Sequence, residues 1–327
     1  MKISMEHGSG GKATSDLISS IFAKHFNNDI LNRMEDAAVV PGTGKIAVTT
    51  DSFVVTPLFF RGGDIGHLAV CGTVNDLLMS GAVPKYLTCG FIIEEGADTE
   101  ALDKIAASMA LTAKKADVMI VAGDTKVIEG NGGIYINTAG IGFVPDEVNL
   151  DSSSCREGDM VLISGNLGDH HAAILSERLN VDNQIVSDCA PLCDMVGNLI
   201  KAGVHIKTMR DVTRGGLATV LNEFAKASGC IIELEEKKIP VSEMVKGFCG
   251  ILGLDPLYMG NEGKMTLIVE QEDAEKALQV IKNSEFGQNA ALIGQVKSGD
   301  SAVTLRTEIG GVRMVDILYG EGLPRIC

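Results

Sequence analysis

Five aspartates in this chain of 327 residues stand beside small or polar residues rather than in acidic surface runs. Carboxylate oxygens are the ligands that Mg²⁺ prefers, and the bound ion usually shares the phosphates of a nucleotide. Five such acids would form a magnesium and phosphate site if the fold brought them together. The alternative for each acid alone is a helix cap or a turn, which is a common role of aspartate. The five are Asp36, Asp51, Asp76, Asp124 and Asp211.

Two of these acids follow predicted strands. The apolar pattern predicts one strand over 45–50, which ends at Asp51, and another over 118–122, which leads to Asp124. A strand that ends on a carboxylate delivers it to the edge of a sheet, where active-site groups collect. Both acids are therefore expected at strand ends.

Two predicted helices carry further polar groups. Asn75 and Asp76 lie inside a helix predicted over 64–80, with Asp64 as its N-cap. Asp211 precedes two glycines at the start of another predicted helix. Such glycines allow backbone amides to approach a ligand.

A glycine-rich segment near the N-terminus, Gly8-Ser9-Gly10-Gly11-Lys12, has some features of a phosphate loop. The P-loop pattern requires glycine where Glu6 stands and Ser or Thr where Ala13 stands, and no strand is predicted before it. A P-loop is therefore excluded. Two alternatives remain: a mobile glycine arm whose Lys12 reaches a phosphate, and a plain flexible terminus.

Two segments of the second half carry reactive groups. A glycine-bracketed loop, Gly260-Asn261-Glu262-Gly263-Lys264, places Glu262 before a predicted strand over 265–269. The last eight residues, GEGLPRIC, end on the thiol of Cys327, and their glycines and proline make a poor core strand. Extended, eight residues span about 25 Å, enough to carry the thiol into a cleft. The alternative is a frayed terminus with an incidental cysteine.

Composition excludes several classes of protein. The 28 Lys and Arg against 43 Asp and Glu leave a net charge of −15, Trp is absent, and aromatic residues make up 4%. Such a chain repels a phosphate backbone and lacks stacking platforms, so no nucleic-acid partner is expected. Any phosphate-bearing substrate would need metal ions to mediate its binding.

No targeting or metal-binding cysteine pattern is present. The N-terminus has no apolar signal core, and no stretch reaches the roughly 20 apolar residues that span a bilayer, so a cytoplasmic protein without membrane contact is expected. The eight cysteines form no CxxC pair, which excludes a zinc ribbon and a thioredoxin-type site. We interpret Asp169-His170-His171 as packing, because adjacent histidines on a helix point in different directions.

The length exceeds one comfortable hydrophobic core, and alternating strands and helices in each half predict two α/β domains. The stretch 145–158 loses periodicity and is rich in Asp and Ser, so the domain boundary is placed there. The predicted units are 1–150, 151–317 and a flexible tail, 318–327.

Seven motifs, in chain order, carry a family resemblance. The order GSGGK, EDAAVV, TTDSF, VNDLLMSGAVP, AGDTKV, RDVTRGGL and GNEGK resembles the ATP-binding superfamily of aminoimidazole ribonucleotide synthetase, selenophosphate synthetase and thiamine-monophosphate kinase. The ending PRIC narrows the resemblance to the carbamoyl dehydratases of hydrogenase maturation, over essentially the whole chain. Selenophosphate synthetases typically carry a reactive Cys in the N-terminal glycine loop, and this chain has none there.

The resemblance implies a two-domain PurM-like α/β (α+β) fold, in which N-terminal sheets pair across a homodimer. It implies ATP and Mg²⁺ as cofactors. Cys327 would accept a carbamoyl group from the carbamoyltransferase HypF, ATP would phosphorylate the carbamoyl oxygen, and loss of phosphate would leave a thiocyanate on sulfur. Cyanide would then pass to iron on a HypC–HypD scaffold complex.

The resemblance also implies roles for the polar residues. The metal ligands would be Asp36, Asp76 and Asp211. The groups beside the nucleotide would be Asp51, Asn75, Asp124 and Thr125, with Lys12 closing over the phosphates. Lys126 and Glu262 would deprotonate the carbamoyl nitrogen, or alternatively contact phosphate or tail. Two rival functions remain open: another small-molecule kinase or synthetase of the superfamily, and a non-catalytic thiol carrier in an assembly complex.

Overall fold

The structure is a computed structural model that describes residues 2–8, 12–33 and 40–317. Asp36 and Cys327 therefore lie outside the described residues, as does the whole segment 318–327. Lys12 is the first residue of helix α1, and its side chain is also outside what is described.

The longest helical segment before the first sheet is continuous over residues 12–25. It consists of α1 (Lys12–Leu17), a π-helical turn (Ile18–Phe22) and α2 (Ala23–His25). The apolar face of this segment is buried in the core of the first half.

The first half contains a four-stranded sheet with the order β1-β6-β4-β5. The β4–β5 pair is parallel, and the other two pairs are antiparallel. A two-stranded hairpin, β2 with β3, leads into the first of two helices that pack against this half. The elements are β1 (Ile46–Phe53), β2 (Phe59–Phe60), β3 (Gly63–Asp64), α3 (Ile65–Met79), β4 (Val83–Glu94), α4 (Thr99–Lys115), β5 (Met119–Ile128) and β6 (Ile134–Phe143).

Helix α3 begins where the sequence predicts. The Asp64 carboxylate accepts hydrogen bonds from Gly66 N at 2.7 Å and His67 N at 3.0 Å, which satisfies two free amides of the first turn. Gly66 is required by packing, because a Cβ there would lie 2.5 Å from the Ile105 carbonyl oxygen on α4. The two helices therefore pack closely through this glycine.

Two predicted strand ends are wrong. β1 continues through Asp51 to Phe53, pairing Asp51 with Thr138, and β5 runs on through Asp124 to Ile128. A polar side chain on one face of a strand leaves the backbone ladder intact, so neither carboxylate interrupts its strand. Both acids thus lie within the sheet, where alternation decides which face they take.

The second half contains a seven-stranded sheet with the order β13-β12-β9-β11-β7-β10-β8. The β9–β12 pair is parallel, and the other pairs are antiparallel. The elements are β7 (Met160–Ile163), α5 (Asp169–Leu179), α6 (Cys193–Lys201), β8 (Ile206–Asp211), α7 (Gly216–Ser228), β9 (Ile231–Glu235), α8 (Glu243–Leu252), β10 (Met265–Val269), α9 (Ala274–Lys282), β11 (Ala291–Lys297), β12 (Ala302–Arg306) and β13 (Val312–Met314).

Helix α3 joins the two halves. It packs against β1 and β6 on one side and against β8 and α6 on the other, and most of its residues are buried. A helix enclosed in this way is apolar around most of its circumference, as its sequence IGHLAVCGTVNDLLM is. Within the described ranges, no helix combines the length and the apolarity needed to span a bilayer.

The two adjacent histidines of α5 are buried. The His170 ring lies 2.7 Å from Ser187 Oγ through Nδ1, and His171 Nδ1 accepts from Gly260 N at 3.4 Å. His171 Nε2 is buried without a hydrogen-bond partner. Burial, and then the positive charges of His170 and Arg178, lower the pKa of His171 from 6.5 to about 4.

This depressed pKa predicts a pH dependence of stability. As the pH falls from 7 to 5, His171 becomes protonated in the unfolded chain but stays neutral in the folded chain. This difference lowers the free energy of unfolding by about 2 kcal/mol. Asp169, whose pKa burial raises to about 6, acts in the opposite direction. Urea unfolding of wild type and His171→Gln at both pH values isolates the histidine. Equal pH dependence of the two proteins would contradict the assignment.

Candidate active site between the two halves

Four carboxylates converge where the two halves of the chain meet. Asp51 lies on the β1 face that α3 covers, with its Oδ2 3.8 Å from the position a Cβ of Gly72 would take. Asp76 is on α3, Asp211 ends β8, and Glu262 is in the loop before β10. The first half therefore supplies two acids and the second half two.

The carboxylates raise one another's pKa. Burial, and then the charge of Asp76, raise the pKa of Asp211 to about 7. Burial, and then the charges of Asp211 and Asp188, raise the pKa of Glu262 well above its ordinary value. Asp76 shows a raised pKa for the same reasons, burial first and Asp51 among the charges, although a hydrogen bond from Thr49 opposes the rise. A site of this kind favours cations.

The arrangement fits a hard cation that also binds phosphate. A cavity of about 630 Å³ opens at the cluster, lined by Thr49, Asp76, Arg210 and Asp211 among others, and Thr49 Oγ1 donates to Asp76 Oδ2 at 2.8 Å. Among the described residues, no three carboxylates bring their oxygens within 4.8 Å of one another. Mg²⁺ takes one or two carboxylates and fills its shell with phosphate and water, so such a site does not require three carboxylates in contact. Glu262 Oε1 is buried without a hydrogen-bond partner, as expected of an atom that binds a charged or polar ligand.

Asp188, which lies outside the sequence motifs, clamps the Glu262 loop. Asp188 Oδ1 accepts from Glu262 N at 3.0 Å, and Asp188 Oδ2 lies 3.5 Å from Lys264 Nζ. Both side chains of this ion pair are more than nine-tenths buried. Gly263 allows the close approach, since a Cβ there would lie 1.8 Å from the Asp188 carbonyl oxygen. The segment 187–192 therefore fixes the position of Glu262.

Asn75 connects the halves through main-chain groups. Its Nδ2 donates to Ala190 O at 3.0 Å and to Glu262 O at 3.3 Å, and its Oδ1 accepts from Leu192 N at 2.9 Å. The side chain is 2% exposed. With all its polar atoms engaged, Asn75 positions the Glu262 loop against α3.

Three of the predicted site residues lie away from the acid cluster. Asp51 pairs with Thr138, and the same row continues across β4 to Gly123 on β5, so Asp51 and Asp124 are about three strand spacings, roughly 14 Å, apart. Asp124 and Lys126 are exposed and lie 3.1 Å apart, on the sheet face that α3 does not cover. Within one chain, the structure does not bring them to Asp51.

Thr125 points to the other face of β5 and lines a separate cavity. That cavity measures about 450 Å³ and is lined mainly by apolar groups, including Phe22 and Phe91, with Asp124 and Lys126 also on its lining. An apolar pocket with a few polar groups at one side is typical of small-molecule sites.

The uncovered face of the first sheet carries exposed apolar residues on several strands. Ile46 and Val48 on β1 are 55% and 65% exposed, and Ile92 and Ile128 on β4 and β5 are 43% and 41% exposed. Cross-strand pairing places Val48 beside Ile141 on this face. Aligned exposed apolar residues on several strands are typical of a protein interface.

The comparisons with known proteins identify the family of this chain. The N-terminal domain of AIR synthase related proteins matches residues 34–144, and their C-terminal domain matches residues 156–306. The carbamoyl dehydratase HypE of Rhizobium leguminosarum bv. viciae is 48% identical over 334 aligned residues, covering 100% of this chain and 95% of that protein. The chain belongs to the HypE family of carbamoyl dehydratases.

Solved HypE structures share the fold of this chain. A crystal structure of hydrogenase maturation protein HypE in complex with ATP aligns with a TM-score of 0.96 and 46% identity, covering 99% of both chains. A structure of a HypE–HypF complex aligns with a TM-score of 0.82 and 49% identity, covering 92% of this chain and 99% of that one. The predicted PurM-like α/β fold and the predicted enzyme family are therefore confirmed.

Proposed function

We propose that this chain catalyses the ATP-dependent dehydration of a carbamoyl group on the Cys327 thiol to a thiocyanate, which supplies cyanide ligands to the iron centre of [NiFe]-hydrogenase. The observation that carries the proposal is an acid site built by both halves of a HypE-family chain that ends in PRIC. An ATP complex of a relative with the same fold supports ATP as the phosphoryl donor.

Asp76 and Asp211 are the described residues that would hold Mg²⁺, together with Asp36. The ion supplies charge neutralisation for a phosphoryl group during its transfer to the weakly nucleophilic carbamoyl oxygen. Thr49 fixes the orientation of the Asp76 carboxylate by its hydrogen bond of 2.8 Å. Asp51, on the β1 face that α3 covers, and Lys12, on the glycine-rich arm, would contact the nucleotide phosphates.

Glu262 is the proposed base for the carbamoyl nitrogen. Dehydration removes two protons from that nitrogen, so a base must reach it. A raised pKa makes the Glu262 carboxylate a stronger base once it is ionised, and Asp188 and Asn75 hold its main chain at both the N–H and the C=O. Asn75 therefore acts by positioning the base rather than by contacting the nucleotide. Lys126 is the second proposed base.

The tail would carry the substrate. Cys327 would be carbamoylated by HypF and would then enter the acid site for dehydration; a HypE–HypF complex among the relatives supports the first contact. The scaffold that accepts cyanide would be HypC–HypD. Gly320, Gly322 and Pro324 suit a segment that must visit two sites.

The chain is proposed to form a homodimer through the uncovered face of the first sheet. Pairing of two such faces would bury Val48 and its apolar neighbours and bring Asp124 and Lys126 to the subunit interface. This arrangement gives Lys126 a route to the reacting group that one chain alone does not offer.

The dimer predicts the effect of one charge. Val48→Asp places a carboxylate in the apolar face and is expected to raise the dimer dissociation constant about 100-fold or more, because an unpaired charge would be buried. Sedimentation equilibrium measures the change. The matched control is Ile309→Asp, at a site 97% exposed in a turn outside this sheet. Unchanged assembly of Val48→Asp would contradict the proposed interface.

The function is tested by phosphate release. Chain that HypF has carbamoylated and that is then separated from HypF is expected to release phosphate from MgATP, and Cys327→Ala is expected to release none. Deletion of the last four residues, together with the loaded wild type, distinguishes the dehydratase from the two alternative functions, a small-molecule kinase and a non-catalytic carrier. A small-molecule kinase would keep its product formation, whereas a non-catalytic carrier would consume no MgATP even when wild type is loaded. Either result would contradict the dehydratase.

A further inference from the structure

Two cysteines and a histidine meet at the junction of the two halves, outside the acid cluster. His67 and Cys71 lie one turn apart on α3, and Cys189 is in the segment 187–192. One ligand atom of each side chain lies within 4.8 Å of the other two. The proposed dehydration uses none of the three.

The hydrogen bonds of His67 define its charge. Thr112 Oγ1 donates its proton to Ser108 O at 2.9 Å, so it must accept from His67 Nδ1 at 2.8 Å. His67 Nε2 lies 2.9 Å from the Cys189 carbonyl oxygen, which can only accept. Both ring nitrogens therefore donate, and the ring is an imidazolium. Burial opposes this charge, but the interactions with Cys189 and with the Asp64 carboxylate raise the pKa of His67 to about 9.

The sulfur geometry fits a charged imidazole rather than a metal ligand. Cys71 Sγ lies 3.8 Å from His67 Nδ1 and 3.7 Å from Nε2, so the sulfur faces the ring as a whole. A metal ion needs a free lone pair on one nitrogen with the sulfur close to its direction. Here neither nitrogen has a free lone pair. An imidazolium beside a thiol instead stabilises the thiolate.

Cys189 lies closer to open space than Cys71, although it is only 7% exposed. It lines a cavity of about 240 Å³ together with Ser187, Asp188 and Lys264, whereas Cys71 is completely buried. Burial, and then the hydrogen bond and charge of Cys71, raise the pKa of the Cys189 thiol well above its ordinary value, and the hydrogen bond and charge of His67 oppose that rise. Reactivity at Cys189 therefore depends on His67.

We propose that Cys71 and Cys189 are a redox-active thiol pair, activated by His67 and oxidised by hydrogen peroxide to a disulfide. The Cys189 thiolate attacks one peroxide oxygen, an S–O bond forms, the O–O bond breaks, and the leaving hydroxide takes a proton to become water. The Cys71 sulfur then attacks the Cys189 sulfenic acid, an S–S bond forms, and the S–O bond breaks. The released hydroxide takes the Cys71 proton as a second water. The two thiols lose two electrons, and the peroxide gains them.

The disulfide would join α3 to the segment that holds the Glu262 loop. Asp188, next to Cys189, binds Glu262 N, and Asn75, one turn after Cys71, binds Glu262 O. Closing two sulfurs to about 2.05 Å must shift one of these supports. The pair is thus a site of oxidative modification, and its oxidation would shift the Glu262 loop beside the acid cluster.

The test is a disulfide map of the full-length chain. Reduced protein is treated with hydrogen peroxide, blocked with N-ethylmaleimide and digested with trypsin without reduction. Cleavage at Arg61, Lys85, Arg178 and Lys201 releases residues 62–85, with Cys71 as their one cysteine, and residues 179–201, with Cys189 and Cys193. The expected product is these two peptides joined, with the loss of two hydrogens.

The variants assign the bond. Because Cys193 shares the second peptide, Cys193→Ser is the matched control and must keep the cross-link, whereas Cys189→Ser must lose it. His67→Gln is expected to slow cross-linking about tenfold or more. The proposal is overturned if wild type oxidises at other cysteines without joining these peptides, if His67→Gln reacts as fast as wild type, or if the purified chain carries zinc that Cys71→Ser releases. The wild-type map decides even if a variant fails to fold.

Discussion

Glu262→Gln is expected to lower the rate of carbamoyl dehydration about 10²- to 10⁴-fold, the range that a positioned general base contributes. The amide keeps the shape of the side chain and leaves Glu262 N bonded to Asp188, so the loop should stay in place. It removes the basic oxygen. Carbamoylated protein should therefore accumulate in the presence of MgATP, while its affinity for ATP changes little.

The matched control for this variant is Glu275→Gln. Glu275 is an exposed glutamate on α9 that accepts from Gln279 at 2.9 Å, far from the proposed chemistry. Single-turnover mass spectrometry of the loaded chain follows both variants. If Glu262→Gln dehydrates its carbamoyl group as fast as Glu275→Gln, Glu262 is not the base, and Lys126 becomes the remaining candidate.

Gly263→Ala is expected to have the largest effect on folding. The added methyl group would lie 1.8 Å from the Asp188 carbonyl oxygen and 2.9 Å from Ala190 N. Both are backbone atoms, so relief requires a shift of the 187–192 segment or of the Glu262 loop. We expect the free energy of unfolding to fall by about 3 kcal/mol or more, and dehydration to fall with it.

Gly250→Ala, in the same half of the chain, is expected to change stability in the opposite direction. Gly250 lies in α8 with no atom within 4 Å of its Cβ position. Alanine there should raise the free energy of unfolding by about 0.5 to 1 kcal/mol, because glycine is a poor helix former. Urea titration measures both variants. Equal stability of Gly263→Ala and wild type would show that the loop is not clamped as described.

The elements that carry Asp76 were predictable because local signals agreed. Asp64 is a strong cap, and fifteen mostly apolar residues follow it before the helix ends. The positions of Asp51 and Asp124 within their strands were harder to predict from the sequence. The end of a strand depends on its pairing with a neighbouring strand, which the apolar pattern does not reveal. Opposite sheet faces then separated Asp124 and Lys126 from the acid cluster.

Asp188 and the inward role of Asn75 could not be read from local patterns. Asp188 lies in a segment without helix or strand, between α5 and α6, and its partner Glu262 is 74 residues away. Such contacts are set by tertiary packing rather than by periodicity. The available signal was the length of that loop, since long structureless connections in a compact domain are often functional.

The most direct measurement is intact-protein mass spectrometry of carbamoylated chain, with and without MgATP, on wild type and Cys327→Ala. Wild type is predicted to gain one carbamoyl group and to lose one water only when MgATP is present, whereas Cys327→Ala gains and loses nothing. If MgATP leaves the loaded chain unchanged in mass, or if Cys327→Ala is carbamoylated and dehydrated like wild type, the proposed role of the tail thiol is contradicted.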